Sequence, residues 1–136
     1  MTPRLPPHRP AQETLHDALH KLHIYHSDSP FGPWTPHASN PVVDNVRGAR
    51  PAGRMLKLDG GLLRFAQDGT GAYGKAVVAY RVEQLNATVF KQTEIRFAVA
   101  ASQPGTAAWD WRRRHHVDAH LLEDGSWVAA LDGDSR

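Results

Sequence analysis

The chain contains no cysteine. That excludes disulfide staples, thiolate nucleophiles and cysteine-bound zinc, and it makes a cytoplasmic location the default expectation. No apolar run approaches the ~18 residues that a membrane span requires. The N-terminal stretch holds Arg4 and prolines 3, 6, 7 and 10 with no apolar segment behind them, so a secretory signal is not expected. Charge of one sign is scarce too. The net charge is +2, and the positive residues are scattered apart from Arg112-Arg113-Arg114-His115-His116. Nucleic-acid binders show a larger basic surface, so no nucleic-acid partner is expected and the basic run reads as a solvated loop. There is no glycine-rich phosphate loop ending in Lys-Ser/Thr and no G-x-S-x-G elbow. Gly69-Thr70-Gly71-Ala72-Tyr73-Gly74 has dinucleotide-loop spacing, but a strand pattern follows it where that fingerprint needs a helix.

What is present is strand and turn. The hydrophobic share, 40%, is ordinary for a globular chain, and 136 residues fit one domain. Residues 1–21 read as a disordered or short helical leader, with a helical turn from Glu13 to Lys21 built on Leu15 and Leu19. The globular part is expected over 22–136. Leu22–His26 is β-prone and breaks at Ser27-Asp28-Ser29-Pro30-Phe31-Gly32-Pro33-Trp34. Gly53–Leu58 and Leu62–Gln67 read as strands joined at Asp59-Gly60, a pair suited to a primed turn with positive φ. Lys75–Val82 alternates Ala76, Val78, Tyr80 and Val82 on one face, and Phe90–Ala100 does so with Ile95, Phe97 and Val99. Residues 102–108 read as a loop. Val117–Leu122 and Ser126–Leu131 form another hairpin around Asp124-Gly125.

An internal repeat runs through this pattern. Leu56–Gly60 matches Leu121–Gly125 at an offset of 65, and Asp68-Gly69 matches Asp132-Gly133 at an offset of 64. Hairpin units recurring at such a period suit propeller blades. The expected fold is therefore all-β, a partial five-bladed β-propeller of about two blades of four-stranded antiparallel sheet. Residues 50–100 would be one blade, 22–47 half of the one before and 116–136 half of the one after. Partial blades leave apolar faces and edges open, so self-association or a covering partner is expected.

The turn Ser27–Trp34 resembles one in five-bladed glycoside hydrolases of the arabinanase and xylosidase type. Asn40-Pro41-Val42-Val43, Ala49-Arg50-Pro51-Ala52-Gly53-Arg54, Gln67-Asp68, Tyr73-Gly74 and His116-Val117-Asp118-Ala119 resemble the propeller-like N-terminal domain of the glucosamine inositolphosphorylceramide transferase family. The resemblance covers about residues 22–135 and implies a carbohydrate- or glycoconjugate-associated module. In those transferases the sugar transfer is attributed to a separate glycosyltransferase domain, so it does not imply catalysis by these residues. Where the related hydrolases carry an acid in a Glu-Gly-Pro-like motif, this sequence has Arg50-Pro51-Ala52-Gly53.

Three side-chain sets carry chemistry. Hydrolysis of a glycoside needs two carboxyl groups, and the candidates are Asp68 and Asp118, although Asp68 before Gly69 also suits a turn cap. His116, Asp118 and His120 share one strand face and are a candidate metal set, but i to i+4 spans ~13 Å of strand, so convergence needs a bulge. No cofactor is expected. Arg50, Arg54, Tyr73 and His116 are the candidate substrate-binding residues, with Trp127 as a further ring for a sugar face. Arg50 and Arg54 suit equally well a structural role, paired with Asp68 or Asp118. Trp34, Trp109, Trp111 and Trp127 read as core or blade-interface residues. A truncated, non-functional remnant is the remaining reading.

Overall fold

The computed structural model describes the backbone of residues 11–100 and 113–134 and the side chains of residues 16–95 and 113–134. The expected loop at 102–108, the rings of Trp109 and Trp111, the side chains of Phe97 and Val99, and residues 1–10 of the leader lie outside the described residues. One helix, α1 (Ala11–His20), opens the described chain, and Lys21 pairs with Asp17 one turn earlier at 2.8 Å. The other regular elements among the described residues are strands: β1 (Lys21–Leu22), β2 (Tyr25–His26), β3 (Thr35–Pro36), β4 (Val43–Asp44), β5 (Leu56–Leu58), β6 (Gly61–Asp68), β7 (Ala76–Leu85), β8 (Phe90–Ala100), β9 (Val117–Leu121) and β10 (Trp127–Leu131). All pairings are antiparallel.

The centre is a four-stranded meander, β5-β6-β7-β8. It falls inside the span expected for a single blade. The β-prone run Leu22–His26 divides into two short strands around Ile24, whose backbone is bonded by the Asn40 side chain and whose carbonyl also accepts from His37 N–H at 2.9 Å. The Ile24 N–H donates to Asn40 Oδ1 and the Ile24 carbonyl accepts from Asn40 Nδ2, at 2.9 and 2.8 Å. Nested pairs β2–β3 and β1–β4 then flank this amide bridge. The Ser27–Trp34 segment is the turn between β2 and β3, closed by Gly32 N–H to Ser29 O at 3.0 Å. This N-terminal layer is tied to the meander at the β7–β8 turn. There Ala38 N–H donates to Ala87 O and the Ser39 hydroxyl to Thr88 O. Asn86 caps the same turn, its Oδ1 accepting from the N–H of Thr88 and of Val89.

The Asp59-Gly60 turn departs from expectation. Register pairs Leu58 with Gly61, so Asp59 and Gly60 are the loop residues, yet neither has positive φ; that role falls to Gly61, at 118°. A primed turn needs positive φ within the loop. The positive φ is instead carried by Gly61, the first paired residue after the loop.

β7 is buried on both faces from Ala76 to Tyr80. The alternation of Ala76, Val78 and Tyr80 on one face holds, and it pairs them with Asp68, Ala66 and Arg64 of β6. The opposite face, Val77 and Ala79, carries the larger core with Phe65, Ala52, Val117 and Ala119. A central strand covered on both sides reads as a continuous apolar run, and Ala76–Tyr80 is one. In β8 a bulge drops residues 96 and 97 out of register, so Ile95 lies opposite Ala79 and Val99 opposite Val77. Three layers result. The hairpin β9–β10 covers the Phe65 face, and the loop around Gly48 covers the Tyr80 face.

The segment before β5 makes the crossing between layers. Ala52 N–H donates to Phe65 O at 3.0 Å, and Ala52 O accepts from Val117 N–H at 2.8 Å. Gly53 follows with φ 132°, and a Cβ there would lie 1.8 Å from the Val117 carbonyl oxygen. Only glycine fits such an approach. No described helix is long and apolar enough to cross a membrane.

Candidate functional site

The repeat seen in sequence has a structural counterpart. Leu56–Gly60 and Leu121–Gly125 each end one strand and enter a hairpin turn, and Asp68 and Asp132 each stand at the end of the returning strand. Both aspartates cap backbone. Asp68 Oδ1 accepts from the N–H of Thr70, at 2.9 Å, and from its hydroxyl. Asp132 Oδ1 accepts from the N–H of His115 and His116, at 3.0 and 2.7 Å. Asp132 Oδ2 also pairs with His115 Nδ1. Arg113 pairs with Asp134 at 3.3 Å. Two side chains of the basic run, Arg113 and His115, are thus matched by acids.

Asp68 belongs to a buried polar network on the Tyr80 face. Its side chain is 4% exposed and pairs with Arg47, which also reaches Glu94 with two nitrogens at 2.6 and 3.0 Å. Burial opposes the Asp68 carboxylate, but the Thr70 donors and the Arg47 and Lys75 charges outweigh it and hold its pKa below the usual range. The Arg47 hydrogen bond does the same for Glu94 against its partial burial, and the Arg47 guanidinium is held charged still more firmly than usual. Beside them Arg64 lies under the sheet surface. Its Nη2 donates to Gly48 O, its Nε to Gln92 Oε1 at 2.9 Å, and its guanidinium stacks 5.1 Å from the Tyr80 ring. Burial pushes the Arg64 pKa down to about 10, with Tyr80 opposing. Burial, reinforced by the Glu94 charge, pushes the Tyr80 hydroxyl up. This network reads as the joint between the Gly48 loop and the sheet.

Asp118 lies elsewhere. Asp68 shares the Tyr80 face through its register with Ala76, while β9 packs on the Phe65 face, with Val117 and Ala119 turned inward and Asp118 turned away. The two carboxylates stand on opposite sides of the sheet and are not brought together. Arg54 Nε is 3.2 Å from Asp118 Oδ1, close enough for an ion pair though not aligned as a hydrogen bond. Arg54 Nη2 donates to Ala119 O at 3.3 Å and lies 3.5 Å from His120 Nδ1.

The expected binding residues fall into two places. Arg54, Asp118 and His120 gather where β5 meets β9. A cleft of about 280 Å³ opens there, lined by Arg54 and His120 but not by Asp118, with Met55, Lys57 and the half-exposed Trp127 also in its wall. Arg50 and Tyr73 gather at another point, with the Arg50 guanidinium 5.2 Å from the Tyr73 ring and the His115 ring 5.1 Å from it on a tilt. His116 is exposed, held there by its backbone. Among the described residues no group of three or more His, Asp or Glu side chains is placed to hold a metal ion. His116 precedes regular β9, and no bulge draws His116, Asp118 and His120 toward one point. Trp34 and Trp127 are 56% and 50% exposed, so neither ring is in the core.

Sequence reasoning missed Arg47, Arg64, Glu94, His115 and Asp132. Arg64 was within reach, since it shares the strand face of Ala66 and Asp68 by period two. Arg47 was not, because a loop residue has no periodicity to assign its direction.

No solved structure matches this chain. Glucosamine inositolphosphorylceramide transferase 1 of Oryza sativa subsp. japonica is 40% identical over 116 residues, covering 84% of this chain and 16% of the relative. The protein of the same name from Arabidopsis thaliana is 37% identical over 116 residues, covering 84% of this chain and 15% of the relative. The chain therefore spans only about a sixth of the length of these relatives. The family model described as glucosamine inositolphosphorylceramide transferase 1, N-terminal, matches residues 11–134, and the chain belongs to that family.

Proposed function

We propose that this chain is a carbohydrate- or glycoconjugate-binding module, with the cleft at Arg54, His120 and Trp127 as its ligand site. The observation that carries this reading is the composition of that cleft. The half-exposed Trp127 stands in one wall with a guanidinium, Arg54, and an imidazole, His120. Aromatic faces stack on the apolar face of a sugar ring, and a few converging polar groups orient its hydroxyls. Arg54, steadied by its ion pair with Asp118, supplies donors, and His120 supplies a donor or an acceptor. Arg50 and Tyr73 form a second polar–aromatic pair for a more distant part of the ligand.

The relatives are named for glucosamine and inositolphosphorylceramide, which supports a glycosylated headgroup as the ligand class. The repeat of hairpins, the meander and the half units on either side support a propeller-type arrangement, with β5–β8 as one blade. Binding is favoured over hydrolysis. A glycosidase acid needs a raised pKa and a partner carboxylate across the bond, whereas Asp68 is held low and faces away from Asp118.

The test is titration of the chain with glucosamine-containing glycans and with inositol phosphate, followed by tryptophan fluorescence and calorimetry. Saturable binding is expected, weakened about tenfold or more in Arg54→Ala and His120→Ala, the cost of about one hydrogen bond to a charged or polar ligand group. Absence of saturable binding by the unaltered chain, or unchanged affinity in both variants, would overturn the proposal.

A further inference from the structure

The two repeats place an arginine and a histidine at equivalent positions. Arg50 lies six residues before Leu56, and His115 lies six before Leu121. Both side chains meet one ring, that of Tyr73.

Each member of this cluster is anchored through backbone. Arg50 O accepts from Gln67 N–H at 2.9 Å, and Pro51 bridges to Ala66 beside it, so Arg50 is fixed to β6. Tyr73 stands in the loop between β6 and β7. The carbonyl of its neighbour Gly74 accepts from Arg114 N–H at 2.7 Å, and a Cβ on Gly74 would lie 2.9 Å from the Arg113 Cβ. That close approach holds the loop against the segment that enters β9. His115 is fixed in turn by Asp132, which accepts from its N–H and pairs with its Nδ1. The cluster is therefore assembled in the free protein, and preorganisation of this kind lowers the cost of binding.

The donors of Arg50 are unspent. Arg47 gives its guanidinium to Asp68 and Glu94, Arg64 to Gly48 and Gln92, Arg54 to Asp118 and Ala119, and Arg113 to Asp134. Arg50 is partly buried, yet among the described residues no acid or other acceptor pairs with its guanidinium. Its described contact is the ring of Tyr73. Stacking engages the flat face of a guanidinium and leaves the N–H groups, which lie in its plane, free to fork. A partly desolvated cation without a counter-ion is unfavourable, and an anion from outside offsets that penalty. Asp132 does not serve. Its Oδ1 is taken by the N–H groups of His115 and His116, and its Oδ2 by His115 Nδ1. The His115 ring keeps Nε2 for a ligand, and as an imidazolium it adds a second positive charge.

We infer that Arg50, Tyr73 and His115 form a phosphate-binding site, whose ligand is a phosphate monoester or diester. The Arg50 fork matches two phosphate oxygens bidentately. Tyr73 holds the plane of the fork. A carboxylate is used up by such a fork, whereas a phosphate has oxygens left to face the imidazolium. The inference rests on the reading proposed above in taking Arg50 and Tyr73 as a ligand contact, and phosphate is tested in the absence of glycan so that each can fail alone.

The experiment is titration of the 136-residue chain with inorganic phosphate and with glycerophosphoinositol, a soluble diester headgroup. It is followed by calorimetry and by the NMR signals of the Tyr73 ring at fixed ionic strength, with circular dichroism on each variant. Saturable binding is expected with a Kd on the order of 1 mM for a single charged fork. Binding of both probes marks the phosphate oxygens as the ligand, and binding of the diester alone marks a headgroup; either supports the site. Arg50→Lys keeps the charge and loses the fork, so it is expected to weaken binding about tenfold. Tyr73→Ala frees the guanidinium and is expected to weaken binding several-fold, and Tyr73→Phe to restore it. Arg81→Gln removes an exposed arginine elsewhere and is expected to have no effect. Absence of saturable binding by either probe would overturn the inference. So would equal binding of acetate, full affinity in Arg50→Lys, or a loss in Arg81→Gln as large as that in Arg50→Gln. Phosphate binding without glycan binding would instead sink the cleft at Trp127 and leave this site standing.

Discussion

Replacing Gly53 by alanine puts a methyl group where the structure has the Val117 carbonyl oxygen, at a distance of 1.8 Å. Nothing flexible can move aside, because the obstacle is backbone. The residue also sits at φ 132°, which costs a non-glycine residue about 1–3 kcal/mol. Relief of the clash requires β9 to withdraw, breaking the Val117 N–H to Ala52 O bond, worth about 1 kcal/mol. Withdrawal also loosens Val117 and Ala119 from Phe65, for about another 1 kcal/mol. The expected loss is about 3–5 kcal/mol. At roughly 3–5 °C per kcal/mol for a chain of this size, Tm falls by ~10–20 °C. Gly60→Ala is the matched control. It has no atom within 4 Å of the new Cβ and no positive φ, so a change of under ~1 kcal/mol is expected, toward greater stability. Thermal unfolding of the two variants by circular dichroism decides the matter. Equal midpoints would refute the reasoning, because they would mean that β9 does not cross at Gly53.

Phe65→Ala empties a side chain 4% exposed at the centre of the main core and is expected to cost about 3–5 kcal/mol in urea unfolding. Asp68 and Glu94 both titrate below the usual carboxylate range. Their contribution is complete above the unfolded-state pKa and is lost as the pH falls through the lowered folded-state values. Asp68→Asn is therefore expected to cost about 1–3 kcal/mol at neutral pH and to flatten the acid side of the stability curve, measured as urea midpoint against pH. Asn86→Ala removes the cap of the β7–β8 turn and is expected to lower stability by about 1 kcal/mol, with no effect on ligand titrations.

The meander was legible because two signals coincide in it. Period-two alternation in Leu62–Gln67 and Lys75–Val82 sets the strands, and Asp59-Gly60 and Asp68-Gly69 punctuate them. The blind points are those where a residue's role depends on something distant in sequence. Val77 and Ala79 look like the back of a half-buried strand until β9 is laid over them. Asp68 reads locally as a turn cap, which it is, but its charge partner is a loop arginine 21 residues away. The ion pair of Arg54 with Asp118 was among the expected alternatives, whereas the stack of Arg50 on Tyr73 beside His115 depends on how three loops meet. Propensity does not encode that meeting.

Ala52 has a consequence for how the molecule opens. Its peptide N–H is bonded to β6, and its carbonyl is the one backbone acceptor among the described residues that ties β9 to the meander. The hairpin β9–β10 can therefore lift away by breaking that seam, the Arg54 contacts to Asp118 and Ala119 and its apolar contacts, while the meander stays folded. Its amide protons should exchange with solvent through this partial opening, well before those of Val77 and Val78, whose strand is bonded on both edges and covered on both faces. A protein built this way has two clocks. The slow one belongs to β7, and the fast one belongs to the strand pair that carries His120 and Trp127.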